Sequence, residues 1–178
     1  AVMRGASVTL VSGPVNIEPF IGIDVVNVKS AADMAEAVAA RSEASDIVVM
    51  CSAVADYTPT HYSAQKVKKS DGELSIPLAR TTDILHTLGM KKKEGQMLVG
   101  FSMETENLIE NSRKKLSKKN ADIICANTIA DGGDTGFAVD TNQVTLITET
   151  EVITLPLCTK EETADLILSH IVELQKEK

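Results

Sequence analysis

Short apolar runs recur along the chain, divided by polar stretches whose own apolar positions fall at helical spacing. The runs at 7–11, 23–28, 46–51, 97–102 and 121–127 have the length and β-branched content of strands. Ile47-Val48-Val49-Met50-Cys51 reads as a strand buried on both faces of a parallel sheet. Between the runs, Met34, Ala35, Val38 and Ala39 form an apolar face behind Ser30 and Asp33, a capping-box variant. Thr81-Thr82-Asp83 opens a helix through Ile84, Leu85 and Leu88 that ends at Gly89 or in Lys91-Lys92-Lys93, a solvated end. Leu108, Ile109, Ser112 and Leu116 mark the inner face of a helix over about 106–119, with Asn120 as its stop. Thr159 and Glu162 cap a closing helix with Ile167, Leu168, Ile171 and Leu174 inward. Residues 1–6 read as the last turn of a helix closed by Gly5.

Two segments depart from this alternation. Residues 65–78 carry alternating arms around Ser70-Asp71-Gly72, a hairpin or flap signal, and 143–148 with 152–155 read as a second hairpin. The strand–helix order predicts an α/β fold: one three-layer α/β/α Rossmann-like domain over 1–178, with a mixed, mostly parallel sheet.

Composition narrows the partners. A net charge of −7 argues against nucleic acid held by general electrostatics, and 3% aromatics with no Trp disfavours stacking on single strands. A small phosphorylated ligand stays compatible, because a local lysine cluster opposes the overall sign. No apolar stretch reaches membrane-spanning length. Cys51, Cys125 and Cys158 have no C-x-x-C spacing and read as buried reduced thiols of a cytoplasmic protein. His61, His86 and His170 have no metal-ligand spacing, and no metal ligands are assigned.

The candidate chemistry starts where the 46–51 run meets Ser52-Ala53-Val54-Ala55-Asp56-Tyr57. Ligands of open α/β sheets sit outside the carboxyl ends of the strands, and small residues there admit a ligand to the backbone while Asp56 offers an acceptor. An ordinary loop with a surface Asp fits the pattern equally well. The first-turn N–H groups behind Thr82 and Asp83 suit a phosphate, though capping alone accounts for those residues. Lys115 and Lys119 share one helical face and suit a phosphate chain, against a solvated face as the alternative. Lys66, Lys68 and Lys69 on the first flap arm read as edge-blocking lysines, an explanation that covers Lys66 less well. Gly100 marks a close backbone approach, and Phe101 faces either a ligand or the core. The Gly-rich stretch 131–137 lacks the G-x-G-x-x-G fingerprint.

Taken in order, VTLVSGPV (8–15), CSAVADYTP (51–59), QKVKK (65–69), TTDIL (81–85), VGFSMET (99–105), RKKLSKK (113–119) and ADIICAN (121–127), followed by Gly136-Phe137, resemble the bacterial-type phosphopantothenoylcysteine synthetases. These form the second enzymatic half of the bifunctional coenzyme A biosynthesis flavoprotein. The resemblance spans nearly the whole chain, and it implies a ligase that joins 4′-phosphopantothenate to cysteine using CTP and Mg²⁺, as a cytoplasmic homodimer. Carried over by motif, Met50, Cys51, Ser52 and Asp56 border the nucleotide; Thr82, Asp83, Ile84, Leu85 and Phe101 line its pocket. Lys115 and Lys119 contact it from the charged helix. Lys66 sits at the reacting phosphates and acyl carbonyl, with 68–75 as a flap. The resemblance further implies a preceding strand and Gly-containing turn, not among residues 1–178, that complete the phosphopantothenate end. Two other readings compete: an NAD(P)-dependent Rossmann oxidoreductase, opposed by the failed fingerprint, and a non-catalytic nucleotide-binding module.

Overall fold

The structure, a computed structural model, describes residues 1–61, 63–67, 75–128 and 139–176. In chain order the strands are β1 (Thr9–Ser12), β2 (Asp24–Asn27), β3 (Ile47–Met50), β4 (Tyr57–Pro59), β5 (Leu78–Arg80), β6 (Met97–Glu104), β7 (Ile123–Thr128), β8 (Thr141–Asn142), β9 (Val144–Ile147), β10 (Val152–Thr154) and β11 (Cys158–Thr159). The helices are α1 (Ala31–Ser42), α2 (Ile84–Lys91), α3 (Leu108–Lys119) and α4 (Lys160–Lys176).

Five strands form a mixed sheet in the order β10-β9-β7-β6-β3. The β3–β6 and β6–β7 pairs are parallel, whereas β7–β9 and β9–β10 are antiparallel. The 143–155 hairpin is therefore the antiparallel segment that the sequence predicts. Strand β6 organises the layers, since Met97, Leu98, Val99 and Gly100 are all buried. Its alternate side chains point to opposite faces. Met97 and Val99 pack with Ile167 and Ile171 of α4, while Leu98 packs with Met34 and Val38 of α1 and with Ile84 and Leu88 of α2. Leu116 of α3 joins Ile124 and Ala126 of β7. One face thus carries α1, α2 and α3, and the other carries α4.

The caps form as the sequence dictates. The N–H of Asp33 donates to Ser30 Oγ at 3.1 Å and that of Ser30 to Asp33 Oδ2 at 2.9 Å. The same reciprocal pair joins Thr159 and Glu162 ahead of α4. Gly5 closes a single 3-10 turn over Val2–Arg4 with φ of 83°, and Asn120 closes α3 with φ of 50°.

Several expectations need correction. Strand β3 is not buried on both faces: its ladder partner in the five-stranded sheet is β6, and it ends that sheet, leaving Val49 40% exposed. Strands β1 and β2 pair with each other in parallel as a separate two-stranded sheet. Cys51, expected buried, is exposed; Cys125 is buried, which pushes its thiol up to about 12. Ile109 turns outward, 48% exposed, because α3 presents Ser112 and Leu116 to the sheet. Strand β4 ends at Pro59, which stands opposite Leu78 in the short antiparallel β4–β5 pair, where a residue without an N–H is tolerated. Of the predicted flap, Lys68, Lys69 and the start of the second arm lie outside the described residues. The Ser70-Asp71-Gly72 turn and the Gly-rich stretch 131–137 fall outside the described residues.

Candidate functional site

Parallel strands β3, β6 and β7 release the chain at one edge of the sheet, the edge where an open α/β sheet receives ligands. Residues 52–56 leave β3 and are stapled to the approach of α2. The Thr81 N–H donates to the Asp56 carbonyl at 2.9 Å, and Thr81 Oγ1 donates to the Ala55 carbonyl at 2.6 Å. This brings Asp56 beside the Thr82–Asp83 start of α2. Ser52 Oγ donates to Met34 Sδ at 3.2 Å, which ties the beginning of the same loop to α1.

Asp83 is the N-cap of α2 and accepts the His86 N–H at 3.0 Å through one carboxylate oxygen. Its other oxygen is ion-paired with Lys119. Burial lowers the pKa of the Lys119 ammonium, and the negative charge of Asp56 opposes that effect. Lys119, Asp83 and Asp56 therefore form one charged group where α2 begins and α3 ends. Packing holds the two helices in register. His86 Nδ1 is 3.0 Å from the Lys118 carbonyl, and Asn120 Nδ2 donates to the Gly89 carbonyl at 2.8 Å.

One turn earlier on α3, Lys115 Nζ donates to Glu104 Oε1 at 2.6 Å. Ser102 Oγ donates to the same oxygen at 2.9 Å, and Asn111 Nδ2 approaches Oε2 at 3.4 Å. Burial alone would raise the Glu104 carboxyl; the bonds from Lys115, Ser102 and Asn111 outweigh it and hold the group below the ordinary carboxylate range. Lys114 instead pairs with Glu110 on the exposed side of the helix at 2.7 Å, as its spacing predicts. The basic helix thus has a solvated side and a side aimed at the sheet edge.

Not every expected residue meets there. Ile84 is buried in the core with Val38 and Leu88, so only its backbone faces the edge, within a first turn whose N–H groups have no intrahelical acceptor. Leu85 packs on Gly100: a methyl built on that glycine would lie 2.5 Å from Leu85 Cδ2, which is the close approach expected of Gly100. Met50 packs beside the α1–α2 cluster. Phe101 packs with the α4-side cluster of Val99 and Cys125, on the sheet face opposite Leu85. Cys51, Thr82 and Lys66 are exposed, and the Lys66 side chain has no bonding partner among the described residues. No group of three or more His, Cys, Asp or Glu side chains able to hold a metal occurs among the described residues. The sequence reading gave no role to Glu104, Ser102 or Asn111. The available signal was an acid at the end of a buried strand, followed by a helix with a basic face.

An open α/β sheet with helices on both faces and a cluster of charged side chains at the carboxyl ends of its parallel strands defines a three-layer, Rossmann-like domain. The chain belongs to the DNA/pantothenate metabolism flavoprotein C-terminal domain family, whose description matches residues 1–174. It is 45% identical over 99% of its length to the coenzyme A biosynthesis bifunctional protein CoaBC of Bacillus subtilis, covering 44% of that protein. It is 43% identical over 98% of its length to a cysteine/cysteine sulfinic acid decarboxylase of an unknown prokaryotic organism, covering 49% of it. The chain thus spans about half the length of these relatives. Among solved structures, the crystal structure of the C-terminal domain of a coenzyme A biosynthesis bifunctional protein CoaBC superposes with a TM-score of 0.82 and 40% identity, over 99% of this chain and 79% of that one.

Proposed function

We propose that this domain is a CTP-dependent phosphopantothenate–cysteine ligase of coenzyme A biosynthesis, working in the cytoplasm as a homodimer. The observation that carries the reading is the pair Lys115 and Lys119, one turn apart on α3, the first bonded to Glu104 at the carboxyl end of β6 and the second to Asp83 where α2 begins. Two polyanionic substrates need cations and helix N-termini more than they need a covalent nucleophile. The ordered motifs and the similarity to CoaBC proteins supply the substrate class.

A carboxylate is a poor acyl donor at neutral pH. In the proposed reaction a carboxylate oxygen of 4′-phosphopantothenate attacks the α-phosphorus of CTP, and pyrophosphate leaves. The amine of cysteine then attacks the acyl carbonyl, CMP leaves, and the amine proton passes to solvent. The nucleotide lies along Met50, Cys51 and Ser52, with Asp56 at its border. The first turn of α2, from Thr82 to Leu85, and Lys115 and Lys119 receive the phosphates, whereas Phe101, packed on the α4 side of the sheet, takes no part in the pocket. Asp56 would be the carboxylate available to a divalent cation that accompanies the nucleotide, because Asp83 is engaged by Lys119 and the His86 N–H. When bound, Mg²⁺ supplies charge neutralisation at the triphosphate. Lys66 acts at the α-phosphoryl group and the acyl carbonyl, where charge builds only in the transition state. Lys66→Gln therefore lowers kcat by about two decades, the scale of a lost oxyanion donor, and leaves CTP affinity nearly intact.

The test uses the full-length protein with CTP, ATP or NAD(P) in thermal-shift titrations, followed by pyrophosphate release. The ligase reading expects a shift with CTP and pyrophosphate release that requires 4′-phosphopantothenate. A shift with NAD(P) alone favours an oxidoreductase and sinks the proposal. CTP binding without pyrophosphate release, with all substrates present, favours a binding module and sinks it equally.

A further inference from the structure

Glu104 lies at the last position of β6, with its side chain only 11% exposed. A carboxylate so far withdrawn from water is retained where its oxygens are satisfied. Here Oε1 receives Lys115 Nζ and Ser102 Oγ, and Asn111 Nδ2 lies on the Oε2 side. Asn111 also donates to the Glu106 carbonyl at 3.0 Å, so the turn between β6 and α3 is fastened to the helix it introduces. Ser102 in turn lies 3.4 Å from Ser112 Oγ, a fully buried hydroxyl of α3. The carboxylate is thus fixed by strand and helix together, while the Lys115 side chain is 44% exposed. One of the three N–H donors of that ammonium is spent on Glu104, and the other two remain for a ligand.

A free lysine side chain loses as much rotamer entropy as any residue when a ligand immobilises it. A lysine already anchored has lost part of it before the ligand arrives. We infer that Glu104 is a positioning residue for nucleotide binding: it anchors the Lys115 ammonium at the carboxyl end of β6 and pre-orders it for the triphosphate. Glu104 touches no substrate, and its effect passes entirely through Lys115. The inference rests on the proposed role of Lys115 at the nucleotide.

The experiment is a double-mutant cycle in the full-length protein, with CTP titrated calorimetrically and steady-state kinetics run in parallel. Glu104→Gln is made in the native background and in Lys115→Met, and thermal unfolding is recorded for each variant. The native-background substitution raises the CTP Kd and KM about fivefold while kcat stays within about twofold, and the effect vanishes in Lys115→Met, as coupled neighbours require. Glu104→Asp, which keeps the charge but withdraws it by one methylene, shows a smaller version of the same split and covers the case in which Glu104→Gln folds poorly. Equal Kd increases in both backgrounds would show a general structural effect and overturn the inference; so would no increase at all. If Lys115→Met itself leaves CTP binding unchanged, the nucleotide role of Lys115 fails first, and the positioning role falls with it.

Discussion

The α-carbon of Gly89 lies against the main-chain carbonyl of Lys119: a methyl built there would sit 1.7 Å from that oxygen. Helix α2 therefore runs through Gly89 to Lys91 instead of stopping at it, and the glycine serves helix–helix contact. Gly89→Ala gains about 1 kcal/mol of helix propensity but must separate two backbones, an overpacking that costs about 1–3 kcal/mol or more. The net expectation is a loss of about 1–2 kcal/mol in urea unfolding, with weakened CTP binding because Lys119 is displaced. A variant more stable than the native protein would show that the two helices separate at little cost.

Lys92 was expected to be part of a solvated helix end, and the structure places it elsewhere. Its ammonium is 3.0 Å from Asp122 Oδ1, with side chains 14% and 7% exposed, and Asp122 also accepts the Leu98 N–H at 2.7 Å. Removing the ammonium takes the cation from a buried carboxylate that keeps the Leu98 N–H among its other partners, at about 1–3 kcal/mol. Lys92→Met should lower unfolding free energy by roughly that amount, while Lys91→Ala, on the exposed side, should stay within about 0.5 kcal/mol. Equal effects would return Lys92 to the solvated end.

Acid stability should depend on Glu104. Its carboxyl titrates below the ordinary 4.5 in the folded protein. A group lowered by folding contributes stability that is complete above its unfolded value and is lost as pH falls through the folded one. On acidification from about pH 5 to pH 3 the native protein should therefore lose stability faster than Glu104→Gln, which has nothing to protonate there. Parallel stability–pH curves would contradict the network drawn around that carboxylate.

Local rules made the elements legible. Ser30 with Asp33, Thr159 with Glu162, Gly5 and Asn120 terminate helices through contacts a few residues long, so their sequence carries the answer. Gly100 was readable because a glycine inside an apolar run asks for a close neighbour, here Leu85. The failures depend on what lies across the fold. Val49 and Cys51 carry the apolar signature of a doubly covered strand, but the pairing of β3 with β6 and the separate β1–β2 sheet leave them exposed. Lys92 and Lys93 look alike in sequence; only the position of Asp122 beside α2 sends one inward. The basic face of α3 was visible from its period. Its carboxylate partners, Glu104 and Asp83, lie outside the helix and became evident only in three dimensions.

The most direct measurement is the CTP dissociation constant of the full-length protein, with and without Lys115 and Lys119, at two salt concentrations. Lys115→Ala with Lys119→Ala should raise Kd by at least about tenfold and flatten its dependence on salt, since fewer cation–phosphate pairs remain to be screened. Lys114→Ala with Lys118→Ala removes the same charge from the exposed side of the same helix and should change Kd by less than about twofold. Equal losses from the two pairs would mean that α3 contributes only general charge, and the proposed nucleotide site would be wrong.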